Sequence, residues 1–190
     1  MKPLSIAAAL LMSAGAALAA PEKYELDASH SQVMFTYEHL GFSTTYNMFS
    51  GFTGEIMFDQ KDVQNSSVSV TIPTRSLFTG WEARFDHFMG DDFFGAVEDE
   101  MITFTSTAIE VTGDNTANIT GDLTVNQVTK PVVLAATLNN SGQNPMSGKE
   151  WAGFDATATI LRSDFNLGAF APAVSDEVEV FISIEAGKAE

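Results

Sequence analysis

The segment Glu177-Val178-Glu179-Val180-Phe181-Ile182-Ser183-Ile184-Glu185 sets Val178, Val180, Ile182 and Ile184 against Glu177, Glu179 and Glu185. Successive side chains of a strand point to opposite faces, so this period of two reads as a β-strand with one face buried. The same period recurs upstream. In Gln32 to His39, Val33, Phe35 and Tyr37 alternate with Met34, Thr36 and Glu38; Phe52, Ile56 and Phe58 follow, then Val68, Val70 and Ile72. Ile102 and Phe104 alternate with threonines and lead to Ile109 and Val111. A Gly113-Asp114-Asn115 turn then opens Ala117 to Val125, and Val132 to Leu138 and Trp151 to Leu161 complete the series. About eight strands with little helix predict an all-β domain, a closed antiparallel barrel or a sandwich.

One stretch departs from this period. Between Ser76 and Phe94 the apolar residues Trp81, Phe85, Phe88 and Met89 have the spacing of a helix face, which predicts one or two short helices between strands, the first ending at Gly90 and the next turn capped by Asp91 or Asp92. The Asn-, Ser-, Gly- and Pro-rich run from Asn139 to Lys149 reads as an exposed loop. No repeat or second domain is visible, so residues 20–190 read as one domain.

Residues 1–19 read as a secretory signal. Lys2 supplies the positive start, Leu4 to Leu18 is almost wholly apolar, and Ala17-Leu18-Ala19 is a small-x-small cleavage site. The stretch falls short of the ~20 apolar residues of a membrane span. Cleavage after Ala19 removes 19 of the 190 residues and one positive charge, leaving 171 residues with the net charge moved from -16 to -17. The expectation is a soluble periplasmic protein. The absence of cysteine excludes a disulfide scaffold, a thiolate metal site and a cysteine nucleophile, so the exported domain must hold together by packing alone. So acidic a chain is also a poor partner for nucleic acid or an anionic membrane surface.

Phenylalanine is the loudest compositional signal: ten of the 15 lie between Phe35 and Phe94. Any one of them is explained by an ordinary core. Their aggregate suits the interior of a barrel that is lined rather than filled, with the Phe78 to Phe94 insert and the apolar loop Leu167 to Pro172 closing its mouth over a hydrophobic chain. The three histidines, His30, His39 and His87, lack metal-ligand spacing, and the odd separation of His30 and His39 puts them on opposite faces of an unbroken strand; no metal or cofactor is expected. No G-x-S-x-G, S-x-x-K or phosphate-loop motif occurs.

The chain resembles the YceI-like family. The resemblance runs through Tyr24-x-Leu26-Asp27-x-x-His30-Ser31-x-Val33-x-Phe35, His39-Leu40-Gly41, Phe49-x-x-Phe52-x-Gly54-x-Ile56-x-Phe58-Asp59, Arg84-x-Asp86-His87-Phe88 and Asp92-Phe93-Phe94. It continues in Ile102-Thr103-Phe104, Gly121-Asp122-Leu123-Thr124, Thr129-Lys130, Arg162-Ser163-Asp164-Phe165 and Val178 to Ala186. It implies an eight-stranded, lipocalin-like antiparallel barrel with a helical cap and a tunnel for polyisoprenoid chains such as isoprenoid quinones or polyprenyl carriers; some members hold fatty-acid-like ligands, and members often look like dimers. The chain departs from the family pattern at Asn47, where Gly is usual, at Glu100-Met101, which replaces a Pro, and at Asn166, where Gly is common.

The expectation is therefore a non-enzymatic binding or carrier protein for a long isoprenoid lipid, with a homodimer as the candidate assembly. The residues assigned to the ligand are Phe35, Tyr37, Phe42, Phe49, Phe78, Trp81, Phe85, Phe88, Phe94, Phe104, Leu161 and Phe165, with His39, Arg84, Asp86 and Arg162 at the rim. Unless Arg75, Arg84, Lys130 or Arg162 converge, the acidic field favours a neutral head, a quinone or free alcohol, over a diphosphate. The alternatives are an enzyme acting on such a lipid through His39, His87 or Asp86, and an interaction protein whose barrel is packed solid.

Overall fold

The computed structural model describes residues 20–190; the signal segment expected at 1–19 lies outside the described residues. Ten strands and one helix follow the chain: β1 (Glu22–Leu26), β2 (Gln32–His39), β3 (Ser43–Phe49), β4 (Thr53–Phe58), β5 (Ser67–Pro73), α1 (Glu82–Met89), β6 (Met101–Val111), β7 (Thr116–Val125), β8 (Val128–Gln143), β9 (Glu150–Leu161) and β10 (Glu177–Lys188). They occupy eight positions of one closed antiparallel sheet. From β4 to β10 neighbours in sequence pair in order, and β10 closes the ring by pairing with β1 at one end, Tyr24 opposite Lys188, and with β2 at the other, Phe35 opposite Val180. Thus β1 with β2, and β3 with β4, each form one wall broken in the middle.

Both breaks have local causes. At the first, the Asp27 carboxylate accepts the Ser29 N–H at 2.9 Å and hydroxyl at 2.6 Å and lies 2.7 Å from His30 Nδ1, while Glu185 N–H donates to Ser31 Oγ at 3.2 Å and ties the turn to β10. At the second, Gly51 takes φ 65°, a conformation a side chain disfavours, and turns the chain so that Phe52 becomes fully buried.

The predicted alternation holds around the barrel. Val178, Val180, Ile182 and Ile184 of β10, Phe154, Ala156, Ala158 and Ile160 of β9, and Val132, Leu134, Ala136 and Leu138 of β8 all face inward. In β6 the apolar residues change parity between Phe104 and Ile109. A bulge between Ser106 and Ala108 absorbs the change, and both sets face inward. Phe104 lies flat over Gly121 on β7, where an added Cβ would come within 2.4 Å of its ring.

One expectation is corrected, and one strand carries no sequence signal. The run from Asn139 is strand as far as Gln143, paired to Trp151 and Glu150, so the loop shrinks to 144–149; its polar side chains reflect partial exposure, and the backbone pairs regardless. Strand β3 was hidden because Ser43, Thr45 and Asn47 occupy the inward positions that are apolar elsewhere. The insert holds one α-helix, ended as expected by Gly90, whose N–H bonds to His87 O, and a turn over Asp91–Phe94 follows it.

Candidate functional site

The barrel encloses a cavity of about 1120 Å³. At ~24 cal/mol per Å³, an unfilled void of that size would cost about 27 kcal/mol, well above the 5–15 kcal/mol that holds a domain folded. The volume is therefore space for solvent or a ligand, and a barrel packed solid is excluded. Its wall is the set of inward columns described above, together with Val33, Phe35 and Tyr37 of β2, Ile56 and Phe58 of β4, and Val68, Val70 and Ile72 of β5.

The two ends of the cavity differ. The far end is bounded by Val63, Ser66 and Ser67, the β6–β7 turn at Gly113, Asp114, Asn115 and Thr116, and Asp155. The cap end is bounded by α1, the turn after it, the β2–β3 turn and the loop 162–176. There β3 has left β5; the chain is joined instead by a backbone pair between Met48 and Phe78, with N–H···O distances of 3.1 and 2.7 Å. Side chains close the gap. Phe35 stacks on Phe49 at 5.5 Å, Phe49 meets Phe94 edge-on at 6.2 Å, Tyr37 packs on Phe88 at 6.1 Å, Phe88 on Phe93 at 5.1 Å, and Phe93 on Phe170 at 6.0 Å.

Of the residues assigned from sequence, the structure brings Phe35, Tyr37, His39, Phe49, Trp81, Arg84, Phe88, Phe94, Phe104, Arg162 and Phe165 together around this cavity. Five do not line it. Phe42 is 89% exposed at the tip of the β2–β3 turn, and Phe78 faces outward because its backbone pairs with Met48 on the outer register. Leu161 is 43% exposed: it pairs with Glu177, while its neighbour Ile160, opposite Val178, takes the inward place. The helix buries Phe88 and Met89 and packs Phe85 against the core, as its spacing predicts, and a neighbouring stripe lines the cavity. Ala83, Arg84, His87 and Phe88 face the cavity, Asp86 is exposed, and Phe85 lies beneath the Arg75 guanidinium at 5.4 Å. Several wall residues absent from the assignment, such as Phe154, Ile119 and Leu123, carry their signal in the alternation itself. Phe170 was signalled only by its apolar loop.

The cationic groups are arranged for different work. Arg162 is half-buried, and its guanidinium donates to Ser175 O at 2.8 Å, Val174 O at 3.0 Å, Ala169 O at 3.3 Å and Leu167 O. Burial lowers its pKa, partly offset by Asp176, whose own carboxyl is held down by bonds from the Ser163 hydroxyl and N–H. Arg162 is thus engaged in pinning its loop. Arg84 donates to Thr79 O at 3.0 Å. Arg75 and Lys130 are exposed and outside the cavity wall, Arg75 donating to Ala96 O at 3.3 Å, so the four cations do not converge. His39 and His87 both reach the cap-end wall; His87 Nε2 is 3.7 Å from Asp92 Oδ2 and its ring packs on Phe93 at 5.0 Å. Asp86 stands apart from the wall that both histidines reach.

A closed eight-walled barrel around an apolar cavity, with a short helical cap, defines a lipocalin-like barrel. The model of the YceI-like domain matches residues 24–186, and the chain belongs to that family. It is similar to Protein YceI of Escherichia coli O17:K52:H18, 42% identical over 178 residues that cover 94% of this chain and 92% of that protein. Among solved structures it is similar to Burkholderia cenocepacia BcnA, with a TM-score of 0.76 and 27% identity over 84% of this chain and 98% of that one. It also shares the fold of a polyisoprenoid binding domain from Saccharophagus degradans, with a TM-score of 0.67 and 15% identity over 87% of this chain and 98% of that one.

Proposed function

We propose that this protein is an exported, periplasmic binding or carrier protein for a long-chain isoprenoid lipid, an isoprenoid quinone or polyprenyl alcohol, held in the barrel cavity. The observation that carries the reading is the cavity itself: about 1120 Å³, walled along its length by Val, Ile, Leu, Ala and Phe side chains, with polar groups gathered at its ends. Such a wall offers a long apolar tail the burial that drives binding, about 0.8 kcal/mol for each methylene taken from water. The shared fold of the polyisoprenoid binding domain supports the same class of ligand. Among the described residues no helix is long and apolar enough to cross a membrane.

The head group is neutral on this reading. A diphosphate needs several converging cations. Arg162 lies at the wall but is committed to backbone carbonyls, Arg75 and Lys130 stand outside, and Arg84 lies at the wall with a single bond to Thr79. The test is transfer of an isoprenoid quinone from phosphatidylcholine vesicles, followed through quenching of Trp81 at the cap-end wall. Saturable quenching at one quinone per chain is the expected result; no transfer, or preferential uptake of a polyprenyl diphosphate, would contradict it.

A further inference from the structure

Three segments of this acidic chain carry no charged residue: 40–54, 76–81 and 165–175. The residues that directly flank them, His39, Glu55, Arg75, Glu82, Asp164 and Asp176, include four carboxylates and one guanidinium. The fold brings the three segments together at the cap end. Leu40 N–H donates to Ala173 O at 2.9 Å and His39 bridges to Val174, which joins the β2–β3 turn to the loop 162–176; the Met48–Phe78 pair joins β3 to the segment before α1. Among the described residues six aromatic side chains are largely exposed. Five of them, Phe42, Tyr46, Phe78, Trp81 and Phe170, stand on these uncharged segments, and the sixth, Phe181, is on β10.

This surface is continuous with the mouth of the cavity. Leu40, Trp81 and Phe170 line the cavity and are also 51%, 65% and 55% exposed, so each faces both the interior and the outside. Phe42 and Phe78 carry the same apolar surface outward, beyond the cavity wall. Apolar side chains gathered in this way mark an interaction surface. Charge and position select its occupant. The flanking carboxylates repel a second copy of the same acidic face, and a copy seated there would cover the cap end of the cavity. A zwitterionic bilayer surface has no net charge to oppose them. It takes Trp and Tyr at the level of its headgroups and buries apolar side chains just beneath, and it is the phase in which long isoprenoid lipids dissolve.

We propose that the uncharged aromatic surface at the cap end docks on the headgroup layer of a zwitterionic membrane. Phe42 and Phe78 are its outer anchors, and Leu40, Trp81 and Phe170 lead from the membrane to the cavity. A lipid that leaves the bilayer there enters the barrel without crossing water. This rests on the lipid-binding reading and adds to it the surface from which the lipid is taken.

The test is flotation of the protein with phosphatidylcholine vesicles, comparing wild type with the double variant Phe42→Ser/Phe78→Ser. Both side chains are exposed and neither lines the cavity, so the variant keeps the interior intact. Wild type floats with the vesicles, the double variant partitions about tenfold less, and phosphatidylglycerol in place of phosphatidylcholine weakens wild type. Phe42→Ser alone, at the tip of its turn, gives a smaller loss in the same direction and serves where the double variant does not fold. A short-chain ubiquinone added from ethanol quenches tryptophan fluorescence equally in wild type and variant. Wild type that stays off the vesicles, a folded variant that partitions as wild type does, or binding confined to phosphatidylglycerol would overturn the docking surface. A wild-type dimer that the variant splits, with no vesicle binding by either, would overturn it too and give the patch to a second copy. Failure of wild type to bind the quinone from ethanol would instead bring down the lipid-binding reading, whatever the vesicles show.

Discussion

The far end and the cap end of the barrel are held by different forces. At the far end the walls remain backbone-paired, and Tyr24, Phe58 and Phe154 pack edge to face at 5.8 and 5.6 Å with Ala152 and Ala186. At the cap end β3 parts from β5, and side chains take over: a run of aromatic rings, the Met48–Phe78 bridge and the Arg162 fan of backbone bonds. A paired wall satisfies its backbone whatever its side chains do, so it stabilises without offering chemistry. A mouth assembled from side chains can present His39, Arg84 and His87 to a ligand, and its stability hangs on a few residues.

The sharpest break in this contrast is Phe52→Ala. Phe52 is fully buried where the β3–β4 wall breaks, and its loss should cost about 4 kcal/mol by urea denaturation, whereas Phe42→Ala, at an exposed tip, should stay within about 0.5 kcal/mol. Comparable effects would mean that the junction does not carry the cap. Next comes Arg162→Met, expected to cost about 2–3 kcal/mol through the orphaned carbonyls of Ser175, Leu167, Ala169 and Val174. Hydrogen exchange should then quicken in 162–176 and stay unchanged in β1 and the C-terminal half of β10; a uniform loss of protection would erase the distinction between the ends. Smaller still is the parity pair in β9. Ile160→Ala should cost about 1–2 kcal/mol and weaken lipid binding, while Leu161→Ala should do neither.

The smallest effect belongs to the clasp at the β1–β2 break. Bonds from Ser29, then His30, hold the Asp27 carboxyl at about 2, below its ordinary 3.8, and Asp27 in turn raises the His30 pKa. A depressed carboxyl contributes stability that is complete above its ordinary value and lost as pH falls toward 2. A raised histidine contributes fully below 6.5, and that part fades as pH rises through its folded value. The clasp is therefore firmest between pH 4 and pH 6.5. Both groups face water, so Asp27→Asn should flatten only the acid limb of a thermal stability profile, and an unchanged limb would remove the clasp from the account.

Where burial is one-sided, the sequence pattern is readable, because the period of two and the inward face are the same fact; β10, β9 and β2 follow from it directly. The bulge in β6 could have been read from the parity change between Phe104 and Ile109. Leu161 was misplaced because hydrophobicity at a strand end does not fix parity, whereas counting from Phe154 does. The helix face was legible in its spacing, which buries Phe88 and Met89, but the adjacent stripe of Arg84 and His87 on the cavity carries no apolar signal. Strand β3 escaped notice for the same reason. A strand that puts Ser43, Thr45 and Asn47 inside and Tyr46 outside breaks the local rule, and such breaks fall where function sits.

The central claim is that the cavity carries an isoprenoid lipid with a neutral head. Native mass spectrometry of the protein purified from cells without detergent, followed by extraction and identification of the released lipid, tests it most directly. The account predicts one isoprenoid quinone or polyprenyl alcohol per chain; the bare chain alone, or a diphosphate-headed lipid, would contradict it.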